Sequence, residues 1–257
     1  MEFRMNGKEL KDAINICRLR GKYNEGMGNK TSVLSDDIFI EVEDKTVYIQ
    51  NANNYTYVVY RYTDEEATSG MVSLSGSTIE KYLTDTDVVF KSDDGKIELS
   101  VGDSIITLPV LGRHDDLNVI YRLKSKLRNL DKRTIKRMFR NEEDIMVTEN
   151  LMLKTLLDVE SDVLASAMSI AEKVGNSIYK LDWDGKKLLI SSTKNNESVY
   201  TEVDAIGNFR TATVEISLPI ANIISKESEV VILYDDEKPV VFANEKITVL
   251  RAPRLGN

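Results

Sequence analysis

The chain has 257 residues, 42% hydrophobic and 30% charged, with a formal net charge of -8. That composition supports one large core or two ordinary ones. It contains no apolar run long enough for a transmembrane helix, and MEFRMNGKEL lacks the apolar stretch of a secretory signal, which points to the cytosol. A single cysteine, Cys17, excludes an internal disulfide framework, and the acidic balance excludes a surface that is basic throughout but not a local basic patch.

Helical spacing comes first, over Gly7–Arg20, with Leu10, Ile14 and Cys17 on one side. Runs rich in Val, Ile and Tyr, separated by turn residues, predict strands at Ile38–Glu43, Thr46–Ala52, Tyr55–Tyr62 and Met71–Leu74. A short helix over Ser77–Leu83 follows, then strands at Val88–Ser92, Lys96–Val101 and Ser104–Val110.

The segment Arg113–Arg140 is different. It holds ten Lys/Arg against three Asp, a net +7 that leaves -15 on the rest of the chain. Ile120, Leu123, Leu127 and Leu130 recur at helical spacing within it, so part of it reads as an amphipathic helix.

Beyond it the same order returns. A strand at Leu153–Leu157 precedes a helix over Ser161–Val174, with Val163, Ala167, Ile170 and Val174 on one face. Strands are expected at Ser177–Asp182, Lys187–Ser192, Ser198–Val203 and Thr213–Leu218, a short helix over Ile220–Lys226, and strands at Val230–Tyr234, Pro239–Ala243 and Lys246–Leu250. VSLSGSTIEKYLTDTDVVFKSDDGKIEL, from Val72, lies over VEISLPIANIISKESEVVILYDDEKPVV, from Val214, without a gap, so duplication is the better reading. The expected division is 1–112, a basic connector 113–148, and 149–257.

Few motifs carry chemistry. YKLDWDGK places Asp182 and Asp184 as an Asp-based phosphatase would, but Asp184-Gly185 between strands is also a hairpin signal. His114 stands without further nitrogen or sulfur ligands, no phosphate-binding glycine loop is present, and neither metal nor cofactor is expected. On the first helix Lys8, Lys11, Asn15, Arg18 and Lys22 fall on one stripe opposite Leu10, Ala13, Ile14 and Cys17. Cations without an interleaved anion suit a phosphate backbone.

LRAPRL (Leu250–Leu255), EVVILYDDEKPVVF, VYIQNANNYTYVVYRY, MVSLSGSTIEKYL and VEISLPIANIISK together resemble segments of DNA sliding clamps of the proliferating-cell-nuclear-antigen (PCNA) type, archaeal or viral. The tail LRAPRL (Leu250–Leu255) is similar to the family's closing strand and its Ala-Pro-Lys/Arg-Ile ending. EVVILYDDEKPVVF resembles the strand pair opened by a proline, here Pro239, and VYIQNANNYTYVVYRY resembles a family strand, bend and strand. MVSLSGSTIEKYL and VEISLPIANIISK look like its two strand-to-short-helix segments.

The resemblance implies an α+β clamp fold: two similar domains, each with two helices on antiparallel sheets, assembling into a homotrimeric ring. The helices would line the hole, so Lys8, Lys11, Arg18, Lys22, Lys81, Lys173 and Lys226 would face double-stranded DNA without reading sequence. Ala52, Pro239, Val240, Ala252, Pro253, Arg254 and Leu255 would receive a peptide from DNA polymerase, a clamp loader or another clamp-binding protein. Pro253 would leave backbone groups of the tail free for that guest. It also implies a processivity factor without catalytic activity or membrane contact, cytoplasmic and nucleoid-associated, or viral in a host cell. The alternatives are a subunit of a heteromeric or viral clamp-like ring, and the phosphatase.

Overall fold

β-branched and aromatic residues recur at alternate positions through most of the chain, and they form antiparallel sheets with few helices. The computed structural model describes residues 1–19, 34–93, 95–111, 127–140, 145–148, 150–175, 178–208, 210–217, 219–224 and 229–254. These fall into two compact units, residues 1–111 and residues 127–254.

The first unit runs β1 (Glu2–Asn6), α1 (Gly7–Cys17), β2 (Asp37–Glu43), β3 (Thr46–Ala52), β4 (Thr56–Thr63), β5 (Gly70–Ser75), α2 (Gly76–Glu80), β6 (Asp87–Asp93), β7 (Lys96–Val101) and β8 (Ser104–Pro109). Its strands are ordered β1-β6-β7-β8 and β4-β3-β2-β5. Asn6 caps α1, its side-chain oxygen accepting from the N–H groups of Lys8 and Glu9 at 3.1 and 3.4 Å. The next residue must be glycine, because a Cβ at Gly7 would sit 2.4 Å from the Thr84 carbonyl oxygen. From there α1 buries Leu10, Ala13, Ile14 and Cys17. Burial raises the Cys17 thiol, which donates to the Ile49 carbonyl at 3.0 Å and packs as a small apolar group.

The second unit begins with α3 (Lys132–Arg140) and a hairpin of β9 (Ile145–Thr148) and β10 (Leu151–Leu153). It continues through β11 (Thr155–Glu160), α4 (Ser161–Gly175), β12 (Ile178–Trp183), β13 (Leu188–Lys194), β14 (Glu197–Val203), β15 (Ala205–Gly207), β16 (Ala212–Ser217), α5 (Ala221–Ile224), β17 (Glu229–Tyr234), β18 (Val240–Ala243) and β19 (Ile247–Arg251). The strand orders are β14-β13-β12-β16 and β15-β11-β17-β18-β19. Strand for strand, β14-β13-β12-β16 repeats β4-β3-β2-β5, and β11-β17-β18-β19 repeats β1-β6-β7-β8. The duplication read in the sequence is therefore a duplication of topology.

One helix is rotated from expectation. Val163 and Ile170, placed on an apolar face by spacing, are 43% and 45% exposed, while Leu164, Ala167, Met168 and Ala171 are buried. The inward stripe centres on Leu164 and Met168, both 0% exposed and flanked by Ala165, Ala167 and Ala171. Glu172 also lies inward, only 6% exposed. Its Oε1 accepts from the N–H groups of Ile220 and Ala221 at 2.8 and 3.0 Å, so a buried carboxylate holds the start of α5.

Burial pushes the Glu172 carboxyl up from 4.5 to about 7, against the two backbone hydrogen bonds, which lower it. A folded-state pKa above the unfolded one means this group favours the fold most below pH 4.5, progressively less up to about 7, and constantly thereafter. The span corresponds to about 3 kcal/mol. Glu172→Gln keeps the accepting oxygen and removes the buried charge. Denaturant melts at pH 5 and pH 8 should show wild type losing stability relative to the variant at the higher pH; parallel curves would refute a titrating Glu172.

Candidate nucleic-acid interface

The cations of α1 are fewer at the surface than the helical projection suggests. Lys8 is exposed and Lys11 half-buried, with Asp12 exposed beside them. Asn15 donates to Glu80 at 3.3 Å. Arg18 must be removed from the stripe: it caps the helix C-terminus at 4% exposure, pairing with Asp36 at 2.5 Å and Glu80 at 3.2 Å. Partial burial alone would raise Asp36, but hydrogen bonds from Ser75 and Ser77 and the charge of Arg18 hold its carboxyl below the ordinary value. Asp36 also accepts from the Ser77 N–H at 3.1 Å, inside the first turn of α2. Arg18 therefore works as an internal brace, and truncating it would leave two partly buried carboxylates without their cation.

Lys81, which caps α2, and Lys173, in the last turn of α4, are both exposed. Lys22 and Lys226 lie outside the described residues. The outward side of α4 otherwise carries Asp162, Val163, Ser166, Ser169 and Ile170.

The basic connector is partly neutralised within the second unit. Lys132 pairs with Glu229 at 2.9 Å, Arg133 with Glu245 at 3.1 Å, and Lys136 with Asp158 and Glu229. Ile135 is buried beneath the helix, and Leu127 and Leu130 are buried ahead of it. Arg137 and Arg140 point outward, whereas Ile120, Leu123 and His114 lie outside the described residues.

The residues expected to receive a peptide divide by unit. Ala52 ends β3 in the first, buried opposite Tyr57. In the second, Val240 is buried opposite Arg251, and Pro239, Ala252 and Pro253 are half-buried. Arg254 is exposed yet tethered: its N–H donates to the Glu215 carbonyl at 2.7 Å and its guanidinium pairs with the Glu215 carboxylate at 3.3 Å. The expectation of free tail backbone therefore fails at Arg254, whose N–H is spent on β16. Leu255 lies outside the described residues.

Asp182 and Asp184 serve the fold. Asp184 accepts from the N–H groups of Lys186 and Lys187, both at 2.8 Å, across a turn where Gly185 takes φ +94°. Asp182 is held by Thr213 at 2.7 Å and Lys180 at 3.0 Å. Among the described residues no group of three or more His, Cys, Asp or Glu could hold a metal ion, and no helix is long and apolar enough to cross a membrane.

β8 in the first unit and β14 in the second each end a four-stranded sheet, with no further strand beside them among the described residues. Each presents a large apolar side chain to solvent, Ile105 at 72% and Tyr200 at 66%. Unpaired edges with exposed apolar residues are templates for another chain.

No protein-family model matches the chain. No curated protein matches it by sequence either. Solved structures do. The putative DNA polymerase III beta subunit of Eubacterium rectale matches with a TM-score of 0.71 at 11% identity, over 100% of this chain and 66% of that one. PCNA of Thermococcus kodakaraensis matches at 0.67 and 14% identity, over 98% and 99%. A. fulgidus PCNA, bound to the C-terminal region of FEN-1, matches at 0.65 and 13%, over 100% and 99%.

The fold is that of a DNA sliding clamp. The chain spans 66% of the length of the beta subunit it matches and 99% of each PCNA chain, so two clamp units correspond to a whole PCNA chain. Helical projection, which follows one helix at a time, missed the brace at Arg18 and the buried Glu172. Asp36, Glu80, Ile220 and Ala221 arrive from elsewhere in the chain. Nothing in the basic connector's composition marked Lys132, Arg133 and Lys136 as anchors; the acidic Glu229, Asp158 and Glu245 that meet them are ordinary surface residues in the sequence.

Replacing Lys132, Arg133 and Lys136 together by Gln should lower stability by about 1–2 kcal/mol at low salt and by less at high salt, since these pairs are partly exposed. Arg137→Gln with Arg140→Gln should leave stability unchanged. Urea melts at two ionic strengths check both; equal midpoints for wild type and the triple variant would show that the ion pairs do not hold α3.

Proposed function

We propose that this chain is a DNA polymerase processivity factor: a sliding clamp that encircles duplex DNA, tethers polymerase and other replication or repair proteins, and does no chemistry itself. The observation that carries the reading is the duplicated clamp topology, matched along 98–100% of this chain and 99% of the PCNA chains. The free edges β8 and β14 support assembly into a ring, one subunit's β8 pairing with the next subunit's β14. In this reading the domains are 1–112 and 149–257 joined by 113–148, and Lys8, Lys11, Lys22, Lys81, Lys173 and Lys226 face the phosphates. The protein works in the cytoplasm, at the nucleoid or in a virus-infected cell.

A homotrimer is the expected state. Light scattering across micromolar concentrations should give three times the 29.1 kDa chain mass. A monomer throughout would remove the self-assembled ring and leave the heteromeric one.

The A. fulgidus clamp holds the C-terminal region of FEN-1. A corresponding dock here comprises Ala52, Pro239, Val240, Ala252, Pro253, Arg254 and Leu255. Burying a leucine-sized side chain contributes roughly 1.5–3 kcal/mol, and about 1.4 kcal/mol is tenfold in affinity. Leu255→Ala should therefore weaken a fluorescent polymerase-derived peptide about tenfold or more. Deleting residues 252–257 should weaken it further while leaving assembly intact, because the final strand ends at Arg251. Equal binding by wild type and both variants would place the dock elsewhere.

A further inference from the structure

The two long helices offer the solvent different chemistry. α1 exposes Lys8 in its first turn and half-exposes Lys11 a turn later. α4 places Val163 and Ile170 outward at 43% and 45% exposure, seven residues apart and so on one face, with short serines, Ser166 and Ser169, between them. The only exposed charges of that helix are Asp162 and Lys173, one at each end and of opposite sign. Phosphates are held most strongly by long cationic side chains whose binding releases counterions; a short hydroxyl can donate a hydrogen bond but releases none, and an aliphatic side chain does neither.

Resting on the sliding-clamp reading, we infer that the two long helices hold duplex DNA unequally: Lys8 and Lys11 make α1 a phosphate contact, whereas α4, between Asp162 and Lys173 at its ends, presents a near-neutral aliphatic face over which the backbone passes with little electrostatic hold. Exposed Val163 and Ile170 fill no core position in their unit, so they are available to a surface that passes them. With Lys173 as the one exposed cation of α4, this helix engages few phosphates at any moment, and moving to the next set breaks few contacts there.

The test compares wild type with three paired variants: Lys8→Gln/Lys11→Gln, Val163→Ser/Ile170→Ser and Val163→Lys/Ile170→Lys. Retention on closed circular against linear duplex is read first, then affinity for a short fluorescein-labelled duplex across a salt series. The serine pair should match wild type in both. The lysine pair should steepen the slope of log affinity on log salt by about 0.9 for each phosphate newly neutralised, roughly a further 3.5-fold loss of affinity per phosphate over a fourfold rise in salt. The glutamine pair should flatten that slope. Weaker retention by the serine pair would overturn the inference, because α4 would then be a contact surface in its own right. An unchanged slope for the lysine pair would overturn it too, by removing α4 from the neighbourhood of the duplex. Wild type leaving circular and linear DNA equally fast would sink the clamp reading itself. Thermal melts confirm that these surface substitutions leave the fold intact.

Discussion

In each unit a carboxylate from elsewhere in the chain holds the first turn of the short helix, and the placement of the helix pair depends on it. In the first unit Asp36 accepts from the Ser77 N–H at 3.1 Å; in the second Glu172 accepts from Ile220 and Ala221 at 2.8 and 3.0 Å. Helices this short have too few internal hydrogen bonds to stand alone, so their orphan N–H groups need a fixed acceptor. Once that acceptor is set, each long helix has one side committed to its sheet and short helix and one side left to solvent.

The two anchors differ in what balances the buried charge. Asp36 has Arg18 beside it, and its carboxyl stays below the ordinary value. No cation pairs with Glu172 among the described residues, and burial carries its carboxyl up to about 7. The first arrangement consumes a cation that would otherwise face outward; the second leaves a charge near its point of neutralisation. Duplicated topology has thus diverged at the place where charge is buried, and the outward faces of α1 and α4 have diverged with it.

Most strands were legible in the sequence, because Val, Ile and Tyr at alternate positions between turn residues leave little competition. The offset repeat was legible as well: β16 (Ala212–Ser217) lies strand on strand over β5 (Gly70–Ser75). The strands that escaped are short or weakly patterned. β1 alternates only Phe3 and Met5, and β9, β10 and β15 are four, three and three residues long. The face of α4 escaped because two apolar stripes compete on it, Val163 with Ile170 and Leu164 with Met168, and only packing against the rest of the unit decides which turns inward. Arg18 escaped because its partner Glu80 lies 62 residues away, beyond any local pattern. The surface cations Lys8, Lys81 and Lys173 were legible, since an exposed residue depends little on distant neighbours.

The charge of the chain follows from the same division between committed and free groups. A net +7 over Arg113–Arg140 suggests a strong polyanion site, yet Lys132, Arg133 and Lys136 are bound to Glu229, Glu245 and Asp158. Arg18 is likewise bound inside the first unit. What remains toward solvent on the long helices is two lysines on α1 and one on α4. Under the clamp reading, so few cations on the described faces of these two helices add little affinity for duplex DNA at moderate salt. In that reading, retention comes from closure of the ring rather than from these helices. Closure makes demands on β8 and β14, the edges with exposed Ile105 and Tyr200, and not on the helices. Under the clamp reading, strong edges and weakly charged helices are therefore one design requirement: the ring must close firmly so that the contacts inside it can stay few enough to move.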